Sequence, residues 1–431
     1  INIITERPSF TPGFEAELTG GNFGAWGVAG SVTGGITDTL AGRLYVAARQ
    51  RDGFYDVNTG VGPRTTTDDQ NQDFWTIRGQ LLLLPSDTVS IRAIADSSRR
   101  EEYCCTAVQI RSGPTAALVN ALSGGNGVRP SVTGGAFGPA PGYQYLPFSR
   151  TGFTNRDTGQ EIEDMGLSVE ANIDLEAFGG STLTSITGVR SWSAVNGMDI
   201  DFSGMDLLYR NQDGDYGFSL DTLSQEFRLA GSTDRLDWLG GGYFSTEDLS
   251  RQDSYYFGSA YANYLSLLLT TTAPGGPYTG RIGCFTNPAG FVAACTVLGG
   301  GAGPSFSTGQ GVRDHYSVDS QSIALFTHNS FHLTDALTLT VGLRWTQEEK
   351  DLTALQDNLG LNGQACGGAL ANQSNVVVAN RTPAAALGAI CLPWTNPLFD
   401  NRAISESFSE DALSGTINLA YDINDDLMIY G

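Results

Sequence analysis

Positive charge is scarce in this chain of 431 residues, in which 24 Lys and Arg oppose 46 Asp and Glu and leave a formal net charge of −22. Lys350 is its one lysine. A nucleic-acid surface needs clustered cations, which this sequence lacks. The composition therefore excludes nucleic acid as a partner.

Long apolar runs are also missing. No stretch of about 18 apolar residues occurs, so the sequence predicts no transmembrane helix. Ile1 does not open a signal peptide, which would have a basic start and an apolar centre. Because the chain begins without Met and ends at Tyr430-Gly431 within an alternating run, we expect it to be an excerpt of a longer protein.

Catalytic motifs are missing too. The sequence contains no G-x-S-x-G, no H-E-x-x-H and no P-loop, and three His residues are few for a metal or acid-base network. We therefore predict that the protein is not an enzyme and that it has no cofactor apart from a candidate loop calcium.

Alternation of apolar and polar residues is abundant. One run has apolar side chains at every second position, namely Leu337, Leu339, Val341, Leu343 and Trp345. Successive side chains of a strand face opposite sides, so such runs are typical of a sheet with one apolar face. We count about thirteen such runs, many near the ~10 residues that a transmembrane β-strand needs.

The connections between these runs alternate in length. Short turns are predicted at 36–39, 85–87, 178–180, 232–234, 333–335 and 423–426. Long segments separate them, at approximately 52–71, 100–161, 195–220, 250–316 and 352–406. Outer-membrane barrels have this arrangement, with short periplasmic turns and long extracellular loops. The sequence therefore predicts an all-β fold, an antiparallel transmembrane β-barrel whose apolar stripe faces outer-membrane lipid and whose polar stripe faces a wet lumen.

A large soluble β-sandwich or β-helix is the alternative, because its one-sided stripes would face a protein core. The alternation of short and long connections favours the barrel. His328 and His332 would then share the lumen face, where they line the wall or contact a domain inside it. A paired metal ligand is the alternative role for these two residues.

Six cysteines lie in predicted loops and fall in three sets: Cys104 with Cys105, Cys284 with Cys295, and Cys366 with Cys391. An even number in such places favours disulfides and an oxidising compartment. Zinc is the alternative, but the C-x-x-C pairing of zinc sites is missing. Sequence alone does not fix the connectivity.

The stretch DIDFSGMD at 199–206 is similar to the first half of a calcium loop, in which alternate oxygens and a Gly turn surround a hard cation. The candidate ligands are Asp199, Asp201, Ser203 and Asp206. The closing position is Arg210, where such loops have a bidentate Glu. A solvated acidic loop is the alternative.

Aromatic residues cluster in predicted loops. Their rings can stack on the flat parts of small ligands, which suits a binding vestibule. The candidates for ligand contact are Tyr103, Tyr143, Tyr145, Tyr255, Tyr256 and Trp394. Loop packing or a girdle at the membrane interface is the alternative, and it is favoured for Tyr255 and Tyr256.

Several segments resemble parts of TonB-dependent receptors. INIITERP at 1–8 resembles the segment that leaves the plug domain of these receptors and enters the barrel. The first barrel strands of the family are similar to GNFGAWGVAGSVTGGITDTLAGRLYVAARQRDGFYD at 21–56. Mid-barrel strands are similar to LSQEFRLAG at 223–231 and LTDALTLTVGLRWTQEEKD at 333–351.

The resemblance implies a barrel of about 22 strands, of which this chain has about thirteen. Residues 1–12 would be the end of the plug or its linker, and residues 13–431 the N-terminal and central part of the barrel. The family implies a bacterial outer-membrane receptor that imports a small molecule or metal chelate, such as a ferric siderophore, cobalamin or a saccharide. Energy would come from TonB with ExbB and ExbD through an N-terminal part that this chain lacks.

Two other functions stay open at the level of sequence. A passive porin would share the barrel wall but would have no plug before Ile1. A soluble β-rich adhesin or secreted enzyme would share the alternation but would not need detergent for extraction.

Overall fold

The computed structural model describes residues 5–109, 115–128, 150–176, 180–270, 306–359, 391, 396–424 and 427–431. In chain order the strands are β1 (Gly13–Gly20), β2 (Trp26–Gly35), β3 (Leu40–Arg51), β4 (Tyr55–Asn58), β5 (Asp68–Asp69), β6 (Gln72–Ser86), β7 (Val89–Tyr103), β8 (Thr151–Phe153), β9 (Gly159–Leu175), β10 (Ser181–Asn196), β11 (Met198–Asp199), β12 (Leu208–Arg210), β13 (Gly217–Thr233), β14 (Leu236–Phe257), β15 (Gly311–Thr334), β16 (Leu337–Gln356), β17 (Arg402–Asn424) and β18 (Leu427–Tyr430). The helices are α1 (Ala116–Leu122), α2 (Tyr261–Thr270) and a 3-10 turn (Pro397–Phe399). Within the described ranges, no helix is long and apolar enough to cross a membrane.

Fifteen of the eighteen described strands form one antiparallel sheet. Its main path is β1-β2-β3-β6-β7-β9-β10-β13-β14-β15-β16-β17-β18, and β11 and β12 attach beside β14. Along this path each strand pairs with the wall strand that precedes it in the chain, so the wall is a meander. The predicted all-β antiparallel barrel is confirmed, as an open part of a barrel wall with thirteen strands in the part of the chain that is described.

Short turns join the wall strands on one rim. They link β2 to β3, β6 to β7, β13 to β14 and β15 to β16, as the sequence predicts. Thr side chains stabilise two of them: Thr37 Oγ1 accepts a hydrogen bond from the Leu40 N–H at 3.0 Å, and Thr334 Oγ1 accepts one from the Ala336 N–H at 3.3 Å. Such local hydroxyl bonds favour a turn over a continued strand. The opposite rim carries the long connections.

One face of the wall is apolar and exposed. Leu325, Trp345 and Leu413 are cross-strand neighbours on β15, β16 and β17. Leu325 is 60% exposed and Leu413 is 73% exposed. A continuous exposed apolar band of this kind is stable against lipid, since the backbone polar groups of neighbouring wall strands pair with one another. We call this face the lipid face.

The opposite face is polar, and segment 5–10 lies against it. Arg43 forms an ion pair with Glu6 at 2.5 Å. Arg92 donates a hydrogen bond to the Thr5 hydroxyl at 2.9 Å, and Gln80 donates one to the Glu6 carbonyl at 3.0 Å. The lumen side of the wall therefore carries the residues that precede β1, whose assignment to the end of a plug stays a prediction. We call this face the lumen face.

Wall acids also hold lumen arginines. Arg78 pairs with Asp96 at 3.3 Å, and Arg190 pairs with Asp96 at 3.2 Å and with Asp164 at 2.6 Å. Each cation is therefore neutralised across neighbouring strands of the sheet. These pairs agree with the general expectation that charge in a confined space needs a partner.

The chemistry of the two faces changes partway along the strands. On the lipid face the apolar band ends at a row of four exposed aspartates that lie directly opposite one another on successive strands: Asp221, Asp248, Asp319 and Asp351. Charged side chains are unfavourable in hydrocarbon, so the row lies outside the apolar part of the bilayer. We call it the aspartate row.

The wall continues well beyond this row. β14 has 22 residues, β15 has 24, β16 has 20 and β17 has 23. A tilted strand needs only about 9 to 11 residues to cross a bilayer. Beyond the row, β14 continues for nine residues and β15 for eight, whereas β16 and β17 continue for five each, all toward the rim that carries the long connections.

Candidate functional site at the extracellular mouth

Described loop segments pack together at the rim of long connections. A small sheet of order β5-β4-β8 pairs β4 with β8 in parallel, which joins the segment after β3 to residues 151–153. Val61 and Met205 form a further backbone bridge, and β12 pairs with the end of β14. We call residues 52–71, 104–109, 150–158 and 197–216 together the loop layer.

The loop layer is centred on a buried ion pair. Arg64 Nη2 lies 2.9 Å from Asp69 Oδ2, and both side chains are fully buried. Arg64 also donates to the Thr158 hydroxyl at 3.0 Å and to the Asp68 carbonyl at 2.9 Å. The hydroxyls of Thr106 and Thr158 each donate to Asp69 Oδ2 at 2.5 Å. A buried ion pair is stable only when such further hydrogen bonds satisfy it, and here they join three loops.

The predicted aromatic residue Tyr103 lies at the edge of this centre. It ends β7, and the Arg64 guanidinium carbon is 5.9 Å from the centre of its ring. The next two residues, Cys104 and Cys105, are joined to each other by a disulfide. Cys105 has a φ of 80°, which is unusual for a residue with a side chain. The chain turns sharply here, and Thr106 then reaches Asp69.

The other cysteines are described only in part. Cys391 is disulfide-bonded. Cys284, Cys295 and Cys366 lie outside the described residues, as do the predicted ligand contacts Tyr143, Tyr145 and Trp394. Their roles stay predictions.

The calcium-like stretch lies inside the loop layer. Asp199 is buried and accepts hydrogen bonds from the Asn155 N–H at 2.7 Å and the Phe202 N–H at 3.0 Å. Asp201 accepts bonds from the Ser203 hydroxyl and from the Leu208 N–H, the latter at 3.0 Å. Burial and the neighbouring Asp201 carboxylate raise the pKa of Asp199 well above its ordinary value. Burial raises the pKa of Asp201 to about 6.

Asp206, the fourth candidate ligand, is held by a cation. Both of its oxygens accept from Arg156, at 2.8 and 3.0 Å, and it also accepts from the Ser259 N–H at 2.8 Å. Burial alone would raise the pKa of Asp206, but the bonds from Arg156 and Ser259 lower it. Asp206 thus carries a negative charge that Arg156 neutralises.

The side-chain oxygens of the four candidate ligands already form hydrogen bonds within the protein: Asp199, Asp201, Ser203 and Asp206. Among the described residues, no group of three or more His, Cys, Asp or Glu side chains is arranged to hold a metal ion. The arrangement therefore gives the calcium hypothesis no direct support, and it stays a prediction.

Arginine and tyrosine meet on the lumen side where β13 and β14 enter the loop layer. The Arg210 guanidinium carbon lies 3.8 Å from the ring centre of Tyr216 and 4.0 Å from that of Tyr255. Arg210 also donates to the Ser254 carbonyl at 3.1 Å and pairs with Asp253 at 3.3 Å. Cation–π contact with two rings fixes this guanidinium firmly. Sequence reasoning did not identify Arg210 in this role.

A second set of lumen-facing residues adjoins this sandwich. Phe218, Arg251 and Tyr316 are direct cross-strand neighbours on β13, β14 and β15. The Arg251 guanidinium carbon is 5.1 Å from the Phe218 ring centre, and Arg251 pairs with Asp253 at 2.5 Å. Arg210, Tyr216, Phe218, Arg251, Tyr255 and Tyr316 together form what we call the mouth cluster.

Tyr256, the remaining predicted ligand contact, is buried. Its hydroxyl donates to Asp215 at 2.6 Å, and its ring centre is 5.6 Å from that of Tyr209. The structure thus places Tyr256 in packing and Tyr255 in the mouth cluster. Contact of either residue with a ligand stays a prediction.

A family model matches this architecture. The model of the TonB dependent receptor-like β-barrel matches residues 120–431. The chain belongs to the TonB-dependent receptor family. Receptors of this family are outer-membrane transporters of Gram-negative bacteria and not enzymes. The chain is accordingly part of an outer-membrane barrel.

Solved receptors have the same fold. The ferric yersiniabactin uptake receptor FyuA from Yersinia pestis aligns with a TM-score of 0.60 and 12% identity, over 100% of this chain and 47% of that receptor. The ferric-catecholate import receptor Fiu from E. coli K12, in its open form, aligns with a TM-score of 0.53 and 12% identity, over 99% of this chain and 54% of that receptor. Among curated proteins, none matches this sequence. The chain spans about half the length of the solved receptors that it resembles.

Proposed function

We propose that this chain forms the larger part of the barrel wall of a receptor that imports a scarce small molecule or metal chelate. The ligand binds at the extracellular mouth and passes through the lumen to the periplasm. TonB, with ExbB and ExbD, supplies the energy through the N-terminal part of the receptor. Its ligand belongs to one of three classes: ferric siderophores, cobalamin or saccharides.

The mouth cluster carries this proposal. Its rings and guanidinium groups lie on the lumen face at the end of the wall beyond the aspartate row, where a ligand from outside arrives first. Small-molecule sites combine apolar and aromatic walls with a few well-placed polar groups. FyuA is a ferric yersiniabactin uptake receptor and Fiu is a ferric-catecholate import receptor, which favours a metal chelate among the three classes.

Uptake by cells tests the proposal. Three strains are compared: one without the full-length receptor, a complemented strain, and a complemented strain without TonB. They are grown under iron limitation and given radioiron as a ferric tris-hydroxamate or an iron(III) tris-catecholate. Parallel cultures are given radiolabelled cobalamin or a maltooligosaccharide. We expect uptake of one of these probes only where both the receptor and TonB are present. Equal uptake with and without TonB would instead indicate a passive pore. Failure of the receptor to change uptake of any probe would overturn the proposal.

A further inference from the structure

The lumen face carries an apolar row at the level of the aspartate row. Trp192, Leu220, Leu249, Val318 and Leu352 are direct cross-strand neighbours on β10, β13, β14, β15 and β16. All five side chains are half-buried. We call this row the collar.

The collar forms because the apolar residues of these strands change from lipid-facing to lumen-facing positions partway along the strand. On β13, Leu223 faces lipid and Leu220, three residues away, faces the lumen. On β14, Phe244 faces lipid and Leu249, five residues away, faces the lumen. An odd separation places two residues of a strand on opposite sides. No register shift accompanies the change in the pairing of β13 with β14 or of β14 with β15.

The collar adjoins the mouth cluster directly. Phe218, Arg251 and Tyr316 form the next lumen-facing row, two residues along each strand from Leu220, Leu249 and Val318. The rows together make a continuous apolar and aromatic surface inside the mouth. Solvent reaches part of each side chain in these rows, so a ligand in the lumen can contact them.

The charges around the collar are unfavourable for an anion. The nearby cations already have carboxylate partners: Arg251 pairs with Asp253, and Lys350 pairs with Glu348 at 2.8 Å. Further carboxylates share the lumen face, with Glu406 opposite Leu352 and Glu247 one lumen-facing row below Leu249. A ligand with several negative charges would meet repulsion here, since Glu247 and Glu406 share the lumen face and both nearby cations are already paired.

We propose that the collar binds the apolar part of a neutral or cationic ligand and discriminates against polyanionic chelates. The proposal rests on the import function and narrows its ligand class. An apolar ligand surface replaces water on the five collar side chains. Electrostatic complementarity with the surrounding carboxylates supplies the selectivity.

Binding to the purified full-length receptor tests this assignment. The probes are a neutral ferric tris-hydroxamate, cobalamin and a trianionic iron(III) tris-catecholate, each titrated while tryptophan fluorescence is recorded. Trp192→Phe identifies the part of the signal that comes from the collar. We expect the neutral hydroxamate or cobalamin to bind and to quench Trp192, and the tris-catecholate to bind at least tenfold more weakly.

Matched variants on one strand separate the collar from the rest of the wall. Leu249→Asn replaces a collar side chain, and Asp248→Asn, its neighbour on the lipid face, is the control. We expect Leu249→Asn to weaken binding of the neutral probe about tenfold, because part of the apolar area that leucine buries against the ligand is lost. Asp248→Asn should leave binding of this probe unchanged. Leu249→Arg should strengthen binding of the trianionic chelate.

The outcomes distinguish the two proposals. Uptake that requires TonB but prefers the trianionic chelate, or binding of the neutral probe that Leu249→Asn leaves within twofold, would overturn the collar assignment alone. Binding of none of the probes would overturn the assignment of the collar to a ligand. Uptake that is independent of TonB would overturn the import function, and the binding series would still report on the collar.

Discussion

Arg64 and Asp69, five residues apart in the sequence, form an ion pair that no solvent reaches, with 2.9 Å between Nη2 and Oδ2. Three segments lie around this pair. They are the β4–β5 connection, the residues after the Cys104–Cys105 disulfide, and the segment that enters β9. This pair links loops that are otherwise far apart in the chain, since Thr158 is 94 residues from Arg64.

Removal of one partner should loosen the loop layer. Arg64→Ala leaves Asp69 buried without a countercharge, for which about 3–5 kcal/mol of destabilisation is typical. We expect hydrogen exchange in residues 104–109 and 150–158 of the full-length receptor to accelerate strongly, while the wall strands stay protected. Arg99→Ala is the control, because Arg99 pairs with Glu161 and Glu163 at an exposed site. Equal exchange in the two variants would contradict a structural role for the pair.

The loop around Asp199 and Asp201 should be more stable in mild acid. A carboxyl group with a raised pKa contributes stability that is complete below its ordinary value of 3.8 and is lost as the pH rises through its folded value, about 6 for Asp201. After correction for intrinsic rates, exchange in residues 199–208 should be slower near pH 5 than near pH 7.5. Asp201→Asn should reduce this difference, and a difference that the variant retains in full would refute the assignment.

The calcium hypothesis makes the opposite prediction for the same loop. Calcium requires ionised carboxylates, so it would add protection at neutral pH, and a chelator would remove that protection. Asp199→Asn would abolish the calcium response if the hypothesis holds. A loop that responds to protons and not to calcium would leave the two carboxyls as a proton-binding pair.

Charge on the lipid face should be far more harmful than charge on the lumen face. Leu343→Arg places a cation in the apolar band, which costs about 2–4 kcal/mol near the bilayer midplane. Thr340→Arg, three residues away on β16, points to the lumen beside Ser330 and should have a much smaller effect. Urea titrations of the receptor folded into lipid vesicles measure both. Similar losses for the two variants would mean that the faces are assigned wrongly.

Peptide mapping without reduction checks the disulfide between adjacent cysteines. We expect the fragment containing Cys104 and Cys105 to have a mass two hydrogens below that of its reduced form and to carry no cross-linked peptide. Digestion after reduction and alkylation is the control. A cross-link from either residue to Cys284, Cys295 or Cys366 would contradict the connectivity in the structure.

The wall was predictable from sequence because its information is local. The period of two, the Thr-stabilised turns and the alternating connection lengths each lie within a short window, and they give the fold and the positions of the turns. Leu220 and Leu223 show where this reasoning stops. Both are leucines on one strand, and their odd separation places them on opposite sides, but only the pairing with Leu249 and Thr246 shows which neighbours each of them has.

The loop layer was not predictable because its contacts join distant residues. Nothing near Arg64 in the sequence indicates Thr158, and nothing near Arg156 indicates Asp206. Aromatic content indicated Tyr255 but not the Arg210 guanidinium that packs against its ring. Only the folded chain shows Arg210 between Tyr216 and Tyr255.

The exchange of faces at the aspartate row places each of β13, β14, β15 and β16 in two different surroundings, lipid below the row and water above it. Below the row, side chains that avoid water must point outward, and above it they must point inward, while the same backbone ladder continues through both. A substitution that alters ligand preference in the upper part therefore need not disturb insertion of the lower part. The receptor can change what it recognises without changing how it sits in the membrane.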